Sequence, residues 1–565
     1  MNYLSFRSKS NSCANKLSGR KLFVFVSVLF FAHFSDSRAC TNFLITRGAS
    51  ADGSVMVSYS ADSHTLYGEL YYFAAAKHKA GALRKITEWD TGKPLGSIPE
   101  VPETYSVVGN MNEYQVVIGE TTFGGRGELV DETGIVDYGS LIYLALQRSK
   151  TAREAIGVMT TLAETYGFCS GGESFSIGDK NEVWIMEMVG KGAGGKGALW
   201  VALRIPDGYI CAHANQARIT TFPKNDPDNC LYSKDVVDFA RSKGWYTGSD
   251  SDFSFSDTYN PIDFHGARFC EVRVWSFFKT FNNDMYRYFD YAKGENLKNR
   301  MPLWIKPDRK LSAKDVMNGM RDHLEGTELD MRKDLGAGPH GLPYRWRPLT
   351  WKVDGREYAN ERATATQQTG FWFVGQARSW LPDLIGGIFW FGVDDAATSP
   401  LTPIYSSITK IPANFAAGNG SMTEYSETSA FWLMNQVANF SYLRYDVMAA
   451  DVCKTLNELE DGYLKDIART DAEALKKYKE KPATARDFLN NYSSAQASNT
   501  FNRWKTLSQL LLMKYIDGNI KKEENGKLLP NKYGTTSAPP SQPGYPEWWL
   551  KEIVENAGDK LKVIE

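Results

Sequence analysis

Nowhere does this 565-residue chain carry an apolar run long enough to cross a bilayer, and its formal charges nearly cancel at -1. A membrane helix needs about 18–20 consecutive apolar residues, and the longest candidate, LFVFVSVLFFAHF at 22–34, falls short. Near-neutrality leaves no electrostatic footprint for nucleic acid or an anionic membrane. Cysteine is also sparse: seven, at 13, 40, 169, 211, 230, 270 and 453, are too few for a disulfide framework in a chain of this length. One or two bridges would suit an oxidising compartment, but no spacing names a pair. The nearest thing to a metal-ligand motif is Cys211 with His213, a lone C-x-H without distant partners, so neither a metal nor another cofactor is expected. No internal repeat is present.

What is there reads as an ordinary globular protein, 42% hydrophobic and 23% charged, long enough to bury a large core. Residues 1–39 combine a basic start (Arg7, Lys9, Lys16, Arg20, Lys21), the short apolar run and the small-residue end SRA before Cys40. That is the pattern of a secretory signal, and it predicts a mature protein starting at Cys40, outside the cytoplasm in the periplasm or the medium. From Cys40 to about Ile219, alternating runs such as TNFLITR, VMVSYS, ESFSIGDKNEVWIMEMVG and ALWVALRIPDGYICAHANQARI predict strands. They are interrupted by a helical stretch around Thr151 and Glu154, which could form a capping box. A mixed middle holds the helix-like ARFCEVRVWSFFKTF, followed by aromatic strands at TGFWFVGQAR and IGGIFWFGVD, while helices dominate after Tyr425. The expected division is 1–39 signal, 40–424 main domain and 425–565 a mainly helical region packed on the core. Runs of strands and runs of helices, without strict alternation, predict an α+β layered fold.

Cys40 draws the chemistry. Removal of Ala39 would give it a free α-amine beside its thiol, with a reference pKa of about 7.7–8 that suits a general base. In the uncut chain the same nitrogen is an amide and cannot accept a proton, so processing would switch the protein on. If the turn after TNFLITR centres between Ser50 and Gly53, antiparallel partners sum to about 103–105. Cys40 then lies opposite roughly residues 63–65, with Asp62 close enough to orient the amine.

Four stretches, ACTNFLITRGASADGSVMVSYSADSH, GNMNEYQVVIGETTF, ESFSIGDKNEVWIMEMVG and AHANQARIT, together resemble the cysteine dipeptidase A family. That family is related to the secernins and more remotely to penicillin V acylase and bile salt hydrolase. The resemblance implies an N-terminal-nucleophile hydrolase with a four-layer αββα sandwich. It assigns Cys40 as nucleophile with its amine as base, Asp62 as the orienting acid and Asn215 as an oxyanion donor. Arg268 is the expected arginine near the nucleophile, with Arg273 a weaker candidate. Thr121 is a second oxyanion donor, and Arg218 an alternative source of thiol polarisation or substrate contact. Tyr59 departs from the wider superfamily, which often has arginine three residues before the acid. Arg378 is read as a structural ion pair in preference to a substrate ligand.

The resulting expectation is a secreted cysteine-type peptidase that cleaves dipeptides, with dipeptides as partners and no nucleic acid or membrane span; a homo-oligomer is left open. Two other readings stand beside it. One is an N-acyl amide hydrolase using the same site. The other is a non-enzymatic binding protein with lipid on Cys40, which the arginine in DSRA and the lack of a flexible tether argue against.

Overall fold

The computed structural model describes residues 40–564, and the expected signal, 1–39, lies outside them. Two antiparallel sheets form the centre. The first has seven strands in the order Trp304–Ile305, Ile210–His213, Thr41–Ile45, Val55–Asp62, Thr369–Ala377, Gly387–Val393 and Thr402–Tyr405. The second has eight, running from Cys230–Tyr232 through Ala198–Arg204, Val183–Gly190, Gly172–Gly178 and Val117–Gly124 to three two-residue strands. The sheets stack closely: a Cβ on Gly375 of the first would stand 2.6 Å from Val117 of the second, and one on Gly119 would stand 2.5 Å from Asn42. Glycine is what permits this approach.

Helices cover both outer faces, giving an α+β sandwich of four layers. Tyr138–Arg148 and Ala152–Tyr166 place Leu141, Ile156 and Met159 on the second sheet with Ile118, Ile177 and Met186. Asp137 caps the former by accepting from the Ser140 N–H, and Thr151 caps the latter by accepting from the Glu154 N–H. The return half of the expected capping box is displaced by one residue, since the Glu154 carboxylate accepts from Lys150 N and not from Thr151 N. On the opposite side Val272–Phe281 covers the first sheet, where Phe277 stacks on Phe43 at 3.7 Å.

The C-terminal helices are Ala430–Leu443, Tyr445–Glu480 and Pro482–Lys514. Lys481 is extended, as the residue before a proline tends to be, and this divides the two long helices. They are tied to the sandwich by polar contacts: fully buried Glu460 accepts from Arg321, Lys314 and the Leu401 N–H, and Ser493 accepts from Tyr405 N. Arg378 pairs with Asp471 of the second of these helices. Among the described residues no helix is long and apolar enough to cross a membrane.

The opening hairpin differs from its expected register. Thr41 pairs with Ser60 and Ile45 with Met56, so partners sum to 101 and Cys40 comes opposite Ala61 instead of residues 63–65. The short 3-10 helix Arg47–Ala49 starts the turn earlier than the Gly and Ser punctuation suggests. Asp62 is nonetheless the last residue of the partner strand, one step from Cys40's level.

Candidate active site

Cys40 immediately precedes its strand and is buried. Alternation turns Thr41 and Phe43 to the helix side, where Thr41 meets Arg273 and Phe43 meets Phe277. Cys40 and Asn42 point between the sheets, toward Glu120 and Ser176. The thiol donates to Glu120 Oε1 at 3.7 Å and to Tyr59 Oη at 3.8 Å, and Tyr59 in turn donates to the same Glu120 oxygen at 2.6 Å. Burial, then the charges of Glu120 and Asp62, push the thiol pKa well up, opposed by a hydrogen bond from the Asp62 backbone. Cys40 is therefore a neutral thiol in this structure.

The backbone around Cys40 is held by Arg273, which projects from Val272–Phe281. Its Nη1 donates to the Cys40 carbonyl at 2.6 Å and to Thr41 Oγ1 at 2.8 Å, and its Nη2 donates to the Ala214 carbonyl and Asn215 Oδ1, both at 3.0 Å. One planar fork thus links Cys40 to the loop carrying Asn215. Asn215 sits in the left-handed region at φ 61°, a conformation asparagine tolerates, and its Nδ2 donates to the Thr122 carbonyl at 2.7 Å. The loop itself is fixed by Glu187, whose buried carboxylate accepts from the Arg218 and Ile219 backbone N–H groups.

Asp62 is fully buried and accepts from Arg362 Nη2 at 2.7 Å, Thr369 Oγ1 at 2.7 Å and Ser60 Oγ at 3.3 Å. Burial raises its pKa, and Arg362 and Arg273 oppose that rise. Arg347 joins the group: burial and the charge of Arg362 push its pKa down to about 10, as they do for Arg273. Beside this group opens a cleft of about 380 Å³ lined by Ser63, His64, Arg347, Gln368 and Thr369 among others.

Three other candidates are engaged elsewhere. Arg268 forms a two-nitrogen pair with Glu361 and donates to the Lys293 carbonyl, so the arginine on Cys40 is Arg273. The two lie on one helical run, but the π-helical turn Gly266–Glu271 and the five-residue step turn them to different partners. Arg218 is buried against Glu271 and the carbonyls of Ala212, Pro302 and Leu303, which occupies its guanidinium with structural contacts. Thr121 Oγ1 is hydrogen-bonded to His213 Nδ1 at 2.7 Å, and strand alternation turns it away from the side of its neighbour Glu120.

Glu120, Glu173, Arg347 and Arg362 were not predicted. Glu120 lies in the same GETTF stretch as Thr121, on the strand face it shares with Ile118, and strand alternation gives no sign that its carboxylate reaches Cys40. The arginines lie in irregular segments without a spacing signal.

Residues 39–458 match the description of peptidase family C69, beginning one residue before Cys40. The chain belongs to peptidase family C69. This C69 chain is 25% identical over 419 residues to a probable dipeptidase of Latilactobacillus sakei, covering 71% of this chain and 80% of the relative. It is 24% identical over 390 residues to a probable dipeptidase of Salmonella dublin, covering 66% and 81%. To a probable dipeptidase B of Streptococcus pyogenes it is 22% identical over 498 residues, covering 85% and 94%. The family makes it a cysteine-type peptidase, in agreement with the resemblance read from its sequence.

Proposed function

We propose that this C69 peptidase is an extracytoplasmic dipeptidase, activated when residues 1–39 are removed and Cys40 becomes the N-terminal residue. The observation that carries the reading is the placement of Cys40. It stands at the head of a core strand, its carbonyl is gripped by Arg273, its thiol faces Tyr59 and Glu120, and the Asp62 strand end lies beside it. The names of the relatives support the substrate class.

In this mechanism the new α-amine takes the thiol proton as Sγ attacks the scissile carbonyl carbon. Asp62, backed by Arg362 and Thr369, stabilises the ammonium so formed. Asn215 Nδ2, released from the Thr122 carbonyl, and a backbone N–H receive the oxyanion; such a donor typically lowers the barrier by ~2.7–4 kcal/mol. The ammonium gives its proton to the leaving amine as the C–N bond breaks. Water then attacks the thioester, the amine accepts a proton from it, and the thiol is restored. A diacylglycerol on Cys40 fits poorly, because the thiol is buried between the sheets.

Cys40→Ala in the mature protein should abolish dipeptide hydrolysis with the fold retained by circular dichroism. Persisting turnover would sink the mechanism. Intact mass of exported protein tests the activation step: a chain starting at unmodified Cys40 is expected, and retention of Ala39 would leave the amine blocked.

A further inference from the structure

A carboxylate beside a nucleophilic thiol is electrostatically counterproductive, since it disfavours the thiolate. Glu120 occupies that position, 3.7 Å from Sγ and 1% exposed. Behind it is a second buried acid, Glu173, whose Oε1 accepts from Thr122 Oγ1 at 2.9 Å. The two carboxyls are close enough to hydrogen-bond through a shared proton. Even so, Oε2 of each receives no N–H or O–H from the rest of the described protein. Tyr59, at the position where the wider superfamily often has arginine, donates to Glu120 and supplies no positive charge. No lysine or arginine is hydrogen-bonded to either carboxyl among the described residues.

The missing positive charge has a natural source. In a peptide cleaved at its first bond, the α-nitrogen is two bonds from the attacked carbonyl carbon, about 2.5 Å away. The Cys40 Sγ approaches that carbon at about 3–3.5 Å in a reactive complex. The group that receives the α-ammonium must therefore lie within a few ångströms of the thiol, where Glu120 lies.

We propose that Glu120, supported by Glu173 and Tyr59, is the receptor for the substrate's free α-ammonium and makes the thiol's reactivity depend on that charge. With the site empty, Glu120 holds the thiol protonated. When the ammonium docks it neutralises Glu120, and the proton passes from Sγ to the Cys40 amine more easily. Substrates with a blocked amino terminus lack the charge and leave the thiol restrained. This inference rests on the dipeptidase reading and names the specificity residue within it.

The test uses mature protein, a dipeptide and its N-acetyl derivative. Wild type should prefer the free amine, and Glu120→Gln, which keeps an acceptor for Tyr59, should lose about 100-fold in kcat/KM on the dipeptide. The ratio of free to acetylated substrate should then fall toward unity. An unchanged ratio in Glu120→Gln, with wild type active, overturns the inference and leaves the dipeptidase reading intact. Inactivity of wild type on dipeptides defeats that reading and this inference with it. Labelling of Cys40 by iodoacetamide at pH 7 separates electrostatics from packing: it should be faster in Glu120→Gln, and an unchanged or slower rate contradicts the gating. Should Glu120→Gln not fold, Glu120→Asp, which draws the carboxylate back by one methylene, should lower the same ratio, and no change there counts against the proposal.

Discussion

The two flanks of Cys40 are built from opposite charges. On one side Arg273, Arg347 and Arg362 act on the carboxylate of Asp62. On the other side Glu120 and Glu173 meet Tyr59 and Thr122, and among the described residues no cation is hydrogen-bonded to them. The carboxyls of the anionic flank are buried, so water does not relieve their charge, and burying unpaired charge is costly. Arginines on one side of Cys40 and carboxyls on the other polarise the surroundings of its thiol. Such a field complements a ligand that is itself a zwitterion. The arginine flank is also the one that reaches the cleft, through Arg347 and Thr369.

Neutralising Asp62 should have the largest effect on this contrast. Asp62→Asn leaves Arg362 with a neutral partner and removes the group proposed to support the α-ammonium. Breaking a buried pair costs about 3–5 kcal/mol, to be read by urea unfolding, and kcat on a dipeptide should fall by roughly 100-fold or more. Full activity in a folded Asp62→Asn protein would show that the cationic flank does not serve the amine.

A smaller effect is expected from the fork that joins this flank to Cys40. Arg273→Lys keeps the charge but cannot span Cys40, Thr41, Ala214 and Asn215 together. Losing part of that grip should cost about 1–3 kcal/mol of stability and reduce kcat about tenfold. Arg268→Lys, at a partly exposed pair with Glu361, should cost about 0–1 kcal/mol and leave kcat near wild type. Reversal of this order would return the role to Arg268.

How far the sequence reaches also divides along these flanks. The sandwich, its strands and the nucleophile hairpin were legible because periodicity and turn residues act locally. Cys40 and Asp62 share that hairpin, so even a register displaced by the Arg47–Ala49 turn left them neighbours. The partners that give each flank its charge come from 80, 233 and 300 residues away, as Glu120, Arg273 and Arg362. Long-range contacts of this kind leave no spacing to read. Tyr59 was visible as an anomaly, and its explanation, a hydroxyl donated to Glu120, needed the second sheet in place.

The smallest expected effect distinguishes the anionic flank by pH. Burial lifts the Glu120 pKa to about 7, and burial with the charge of Glu120 lifts that of Glu173 well above the ordinary range. Cys40, Tyr59, Thr122, Asp90 and Tyr138 face or influence the pair, and none adds a positive charge. A carboxyl with a raised folded pKa keeps a proton that the unfolded chain, with pKa about 4.3, has already released. Its stabilising contribution is complete below that value and is lost as pH rises through the folded pKa. Buried Glu187, at about 7, and Asp394, at about 8, act in the same direction, so the informative quantity is the difference between variant and wild type. Glu173→Gln removes one proton from the linkage and one charge from beside Glu120. The fall in Tm between about pH 5 and pH 9 should therefore be shallower in Glu173→Gln than in wild type. Parallel Tm curves would mean that Glu173 does not change its protonation on unfolding in this range, and that the anionic flank holds its charge by other means.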